Sequence, residues 1–191
     1  MQLKALAILG SPRKNKNTDI LLNKAIEGLI ENEVQVEKIE LRNEKIDHCI
    51  GCDACAKTGI CFIKDDMSKL YSKFDEADIV IIATPLYFNS VSSITKTMID
   101  RCQAFWASKY VLNKSSIDRN KRRRGLFICT AGSELKRDGF IGAEVVIDLF
   151  FRAINTQNSE RLLVDQTDKI MVKDRQDILN EAYEIGKKLS D

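Results

Sequence analysis

Residues 77–93 read ADIVIIATPLYFNSVSS, and residues 3–18 read LKALAILGSPRKNKNT. Each begins as a short, nearly unbroken apolar run and stops in a loop of hydroxyls, amides and proline. A strand with one wet face alternates apolar with polar residues. A run such as IVIIA has no polar face to give to water, so it predicts a strand covered on both sides. Strands of that kind belong to parallel sheets, which need a helix to cross back between neighbours. Asn17 or Thr18 is placed to cap such a helix, running to about residue 32 with Leu22, Ala25, Ile26 and Leu29 on its core side.

The pattern repeats outward along the chain. Residues 34–41 alternate as a half-buried edge strand. Asp65-Asp66 offers an N-cap for a helix over 67–75. Helical periodicity resumes at Val91, with Ile94, Met98, Cys102 and Phe105 on one face. A fourth strand is expected at 126–129, a fourth helix at 142–154, a fifth strand at 159–164 and a closing helix at 174–189. Five strands alternating with five helices predict one α/β domain over residues 1–191. The expected architecture is a flavodoxin-like three-layer sandwich with a five-stranded parallel sheet in the order 2-1-3-4-5. A cysteine loop, residues 44–66, is inserted after strand 2.

Composition narrows the function. The 191 residues are 44% apolar and 30% charged, enough for a packed core. Thirty Lys and Arg against 28 Asp and Glu leave a net charge of +2, so no strong global field draws the chain to nucleic acid or an anionic membrane. No apolar run exceeds five residues, which is too short to cross a bilayer, and no leader-like pattern opens the chain. A cytoplasmic setting is expected. There a tight thiol group reads as metal-binding or catalytic before it reads as a disulfide framework. Cys49, Cys52, Cys55 and Cys61 form such a group, spaced C-x2-C-x2-C-x5-C.

In an open α/β sheet, ligands bind beyond the carboxyl ends of the strands, where strand order reverses; here that is between the first and third strands. The first strand ends in GSPRKNKNT. This loop carries hydroxyls at Ser11 and Thr18, amides at Asn15 and Asn17, the fork of Arg13 and the amino end of a helix, a donor set suited to one phosphate monoester. It has neither the Walker pattern nor G-x-G-x-x-G. The third strand ends at Pro85, which leaves Leu86, Tyr87, Phe88 and Asn89 to wall a flat aromatic ring system. The fourth ends in Thr130-Ala131-Gly132, offering a hydroxyl and close backbone approach.

Gly10-Ser11-Pro12-Arg13 through Asn17-Thr18, then Thr84-Pro85-Leu86-Tyr87-Phe88-Asn89-Ser90-Val91-Ser92 and Asp100-Arg101, resemble the NADPH-dependent FMN reductase superfamily. With CIGCDACAKTGICFIKDDM at 49–67, the chain looks more narrowly like the iron–sulfur flavoproteins within it. The resemblance covers residues 3–135. It implies bound FMN, with Ser11, Arg13, Asn17 and Thr18 around the phosphate, and with Pro85, Leu86, Tyr87, Phe88, Asn89, Thr130, Ala131 and Gly132 facing the isoalloxazine. It also implies a homodimer or homotetramer. The cysteine spacing is close to ferredoxin runs, in which four thiolates hold a [4Fe-4S] cluster; zinc, or thiols without metal, are the alternatives.

The expected function is therefore an FMN-dependent oxidoreductase passing electrons through FMN and a [4Fe-4S] cluster at Cys49, Cys52, Cys55 and Cys61. The alternative is a cluster-free reductase in which NAD(P)H reduces the flavin directly, for a quinone, free flavin or nitro compound. A zinc-stabilised binding module stands as a third reading. The flavin carries the chemistry, so no catalytic side chain is assigned. The basic run Arg119-Asn120-Lys121-Arg122-Arg123-Arg124 reads as a solvated loop, or as a dock for an acidic, ferredoxin-like carrier or for the phosphates of a pyridine nucleotide. His48 reads as a polar loop residue, Cys102 and Cys129 as small core residues, and Trp106 as core or subunit contact.

Overall fold

In a computed structural model, which describes residues 2–136 and 138–190, the strands are β1 (Lys4–Leu9), β2 (Gln35–Glu40), β3 (Ile79–Tyr87), β4 (Ser90–Val91), β5 (Arg123–Thr130) and β6 (Thr156–Val164). The helices are α1 (Asn17–Glu31), α2 (Ala54–Thr58), α3 (Met67–Glu76), α4 (Ser93–Arg101), α5 (Gln103–Trp106), α6 (Ile141–Ala153) and α7 (Gln176–Lys188). The long strands run parallel in the order β2-β1-β3-β5-β6, which is the expected flavodoxin-like order once the two-residue β4 is counted.

Strand periodicity divides the core in two. Leu6, Ile8, Val80, Ile82, Phe127 and Cys129 point into one layer, against α3, α4, α5 and α6. Ala5, Ala7, Leu9, Ile79, Ile81, Leu126 and Ile128 point into the other, against α1 and α7. On that second face two helices meet backbone to backbone. A Cβ on Gly28 would lie 2.2 Å from the Tyr183 carbonyl, and one on Gly186 would lie 2.1 Å from that of Ala25. Cys102 and Cys129 are core residues as expected; burial pushes the Cys129 thiol up to about 12.

Three features depart from the sequence expectation. The segment after β3 is a hairpin: β4 pairs antiparallel with β3, Leu86 opposite Val91 and Tyr87 opposite Ser90. Phe88 and Asn89 form its two-residue turn at φ +49° and +56°, the left-handed pair that matches the strand twist. The helix expected from Val91 breaks at Cys102, and its continuation ends in a π-helical turn, Ala107–Val111. Finally, β5 and β6 each start three residues earlier than the apolar run alone suggests.

Candidate functional site

A cleft of about 330 Å³ opens between the carboxyl ends of β1, β3, β5 and β6. Ser11, Arg13, Asn17, Thr18, Pro85, Leu86, Tyr87, Thr130 and Gly132 line it, nine of the twelve residues expected around a cofactor. The other three lie elsewhere. Phe88 and Asn89 are exposed at the hairpin tip, carried past the rim by the pairing of β4. Ala131 is buried, its amide bonded to Val164 O and its carbonyl accepting from Thr167. Lys16, Ser133, Thr167 and Asp168 also line the cleft. Thr167 and Asp168 follow the carboxyl end of β6, where the same strand-end rule pointed.

Buried hydroxyls brace the rim. Ser92 Oγ donates to Gly10 O at 2.6 Å, and Thr95 Oγ1 lies 3.2 Å from Thr84 Oγ1. Gly10 has to be glycine: a Cβ there would sit 1.8 Å from Thr95 Oγ1. Thr18 and Thr130 share a hydroxyl–hydroxyl hydrogen bond of 2.6 Å that ties the first loop to β5. The Asn17 amide straps a distant loop, donating to Thr167 O and accepting from Val172 N, so positioning takes up much of its capacity.

The first loop is electropositive. The amino end of α1 has no side-chain cap, so its first N–H groups stay open to an acceptor. Among the described residues, no carboxylate pairs with Arg13 or Lys16, which flank that end. The acid in the first turn of α1 is already occupied: Asp19, buried, accepts from Asn15 N and pairs with Lys38 Nζ at 2.5 Å. A dianion entering at this loop meets donors and cations; the Asp168 carboxylate lies against Gly132, beyond β5.

The cysteines form a second, separate site. Cys49, Cys52, Cys55 and Cys61 all line one cavity of about 320 Å³, with Ile50, Phe62, Ala104, Trp106 and Val111 as apolar walls. Burial, followed by the three neighbouring thiols, pushes the Cys55 thiol up. Burial also acts on Cys61, but the Ile63 amide and the Arg101 guanidinium outweigh it and hold that thiol down. Among the described residues no three Cys, His, Asp or Glu side chains converge as closely as one metal ion requires. His48 is exposed and does not line this cavity. Trp106 stands at its rim, 45% exposed and 5.1 Å from the Tyr110 ring, rather than in the core.

Arg101 ties this site to the sheet. α4 is capped by Ser92, which is bonded to the strand-end loop, and ends nine residues after that cap at Arg101, about 13 Å along the helix. There the guanidinium meets both stems of the cysteine loop, donating to Asp47 O at 2.8 Å and Ile63 O at 3.2 Å. It also forms a bidentate pair with Asp65 at 2.5 and 3.1 Å. Burial works against the Asp65 carboxylate, but Arg101 and the Asp47 amide hold its pKa below the usual value of 3.8.

The basic run lies away from both sites. It leads into the amino end of β5, roughly 25 Å from the cleft along the strand. Three of its five cations serve the fold. Arg123 is fully buried, donating to the Phe74, Asp75 and Asp118 carbonyls and to the Asp75 carboxylate. Lys121 bonds Glu76 O and pairs with Asp78, and Arg124 bonds Leu189 O. A carrier docking on this run would meet the wrong end of the sheet.

A doubly wound parallel sheet with a donor-rich loop at its β1–β3 switch point defines a flavodoxin-like protein. The model of the NADPH-dependent FMN reductase family matches residues 3–138, and the chain belongs to that family. It is 41% identical over 99 residues to an iron–sulfur flavoprotein of Archaeoglobus fulgidus, covering 52% of this chain and 45% of that protein. It is 35% identical over 112 residues to one of Methanocaldococcus jannaschii, covering 59% and 58%. The chain thus spans about half the length of the curated relatives it matches. Its fold is shared with an NAD(P)H:quinone oxidoreductase from Methanothermobacter marburgensis, at TM-score 0.78 and 15% identity over 100% of this chain and 98% of that one. Among the described residues no helix is long and apolar enough to cross a membrane.

Proposed function

We propose that this chain is an FMN-dependent oxidoreductase of the iron–sulfur flavoprotein type, passing electrons between a carrier and an acceptor. The observation that carries the reading is the gathering of four thiols around one cavity in a member of a flavin-reductase family. A cubane takes one thiolate per iron, so its ligands surround a volume; zinc ligands converge on a point. Four thiols lining one cavity fit the first pattern. We assign Cys49, Cys52, Cys55 and Cys61 to a [4Fe-4S] cluster.

FMN fits the strand-end cleft. Arg13, Lys16 and the open amides of α1 would face its phosphate, with Ser11 and Thr18 beside them. Pro85, Leu86 and Tyr87 would wall one side of its ring, and Thr130 and Gly132 would meet its polar edge. FMN supplies hydride and single-electron chemistry when bound. The chain's own part is placement, which the buried hydroxyls of Thr84, Ser92 and Thr95 fix before any ligand arrives.

Residues 1–191 are read as one working unit, in a reducing cytoplasm that keeps the thiols free. The exposed apolar side chains around the cysteine cavity, Ile50, Phe62, Trp106, Tyr110 and Val111, suit a homo-oligomer in which a second copy covers them.

The test is anaerobic purification and reconstitution, followed by a visible spectrum and iron, sulfide, zinc and flavin assays. The reading expects one FMN with about four irons and four sulfides per chain. FMN without iron, with rapid bleaching by NAD(P)H, would instead establish the cluster-free reductase. Stoichiometric zinc without flavin would establish the binding module.

A further inference from the structure

Arg101 is the one cation lining the cysteine cavity among the described residues. Its side chain has 0% exposure. Four of its N–H groups are accounted for: Nη1 bonds Asp47 O and Asp65 Oδ2, and Nη2 bonds Ile63 O and Asp65 Oδ1. The fifth, on Nε, is buried and has no hydrogen-bond partner. A buried guanidinium N–H left without an acceptor is costly, and native structures rarely carry one without a reason.

The acceptor at hand is a sulfur. Cys61 lines the same cavity as Arg101, and the guanidinium, after the Ile63 amide, helps hold its thiol below the usual range against burial. A neutral thiol accepts weakly, whereas a thiolate beside a cation accepts strongly. The Tyr71 hydroxyl also helps hold the Cys61 thiol down, but its proton goes to Arg101 O at 2.9 Å. Nε–H is thus the donor still uncommitted. It becomes satisfied when Cys61 is a metal-bound thiolate.

We propose that Arg101 is a positioning residue for the cysteine site, holding both stems of the loop through its Nη atoms and donating Nε–H to Cys61 Sγ once that sulfur is a thiolate ligand. The inference rests on the assignment of an iron–sulfur cluster to the four thiols. Its consequence is electrostatic. A hydrogen bond and a buried positive charge at one ligand stabilise the more negative, reduced state, so the cluster accepts an electron more readily.

The experiment is an anaerobic dithionite titration of reconstituted wild-type and R101K protein, with redox mediators and electron-spin detection. Lysine keeps the charge, but one amine cannot serve Asp65, two carbonyls and the sulfur together. R101K should hold iron with a midpoint lower by a tenfold shift in the one-electron equilibrium, about 59 mV. As a wild-type measurement, protein labelled with 15N-arginine should show a guanidinium nitrogen coupled to the reduced cluster. That coupling upholds the proposal even where R101K fails to fold. Equal midpoints in two iron-loaded proteins, or no coupled arginine nitrogen, would overturn it. Wild-type protein that takes up no iron on reconstitution would overturn the cluster assignment itself, and this role with it; that failure is separately visible.

Discussion

The two cavities of this chain are held by opposite means. The strand-end cleft is framed by β1, β3, β5 and β6, whose backbones are locked in parallel register, and its loops are cross-tied by buried hydroxyls. Its shape is a property of the sheet. The cysteine cavity is framed by a loop whose regular structure is the five-residue α2, and Cys49 and Cys52 are exposed. Both stems of that loop meet one guanidinium at the end of α4 and are bonded to each other through Asp65 and Asp66. The first cavity is therefore preorganised, whereas the second is set at its base and completed by whatever the thiols bind, since metal binding and local folding are one equilibrium.

The contrast breaks most sharply at Asp65. Asp65→Asn leaves the Arg101 charge buried without its counter-ion, which should cost about 3 kcal/mol, partly offset by the two carbonyls that remain. Denaturant unfolding of the apo protein reads this loss, and hydrogen exchange should rise first across 47–65 while the strands stay protected. A global loss of protection in β1 and β3 would show that the two cavities are not independent. Acid should act the same way by degrees. Because Asp65 titrates below 3.8 in the folded chain, its contribution is full above that value and fades as pH falls through the lowered one. Slow exchange in the loop should persist at pH 4.5. Loop opening well above pH 4 would remove Asp65 from this role.

The complementary change belongs to the cleft. Arg13→Ala should weaken FMN by about 1.5–3 kcal/mol, roughly ten- to a hundredfold, through loss of a charge-assisted bond to the phosphate. Fluorescence titration of the apo protein measures it. Iron uptake by the cysteine loop should be unaltered. Unchanged flavin affinity would remove Arg13 from the site.

The smallest effect is expected at Arg122, exposed at the far end of the sheet. Arg122→Ala should change stability by less than about 0.5 kcal/mol and leave the rate of flavin reduction by a carrier unaltered. A slower, more salt-sensitive reduction in that variant would restore the basic run as a docking surface.

Much of this was legible in the residues. The runs at 3–9 and 77–84 have no polar face, which is why strand, layer order and switch point could be read together. The polar loops following those strands gave most of the cleft. Three things were hidden for physical reasons. The turn at Phe88-Asn89 carries none of the Asn-Gly or Asp-Gly chemistry that announces a two-residue hairpin, so two aromatic-edge residues were placed in the cleft that the fold carries past it. Thr167 and Asp168 come from a loop with no unusual composition; only its position after β6 marks it. Arg101 and Arg123 look like any other arginines, because their burial depends on carboxylates and carbonyls that are 36 to 54 residues away for Arg101 and five to 49 for Arg123.

The central claim is that flavin and iron occupy separate sites, one built by the sheet and one by the thiols. The direct test is Cys52→Ser, purified and reconstituted without oxygen beside the wild type, with FMN, iron and sulfide counted in both. The account predicts that the variant loses iron and sulfide together and keeps FMN at wild-type affinity. Flavin lost with the iron, or iron and sulfide retained in full without Cys52, would contradict it.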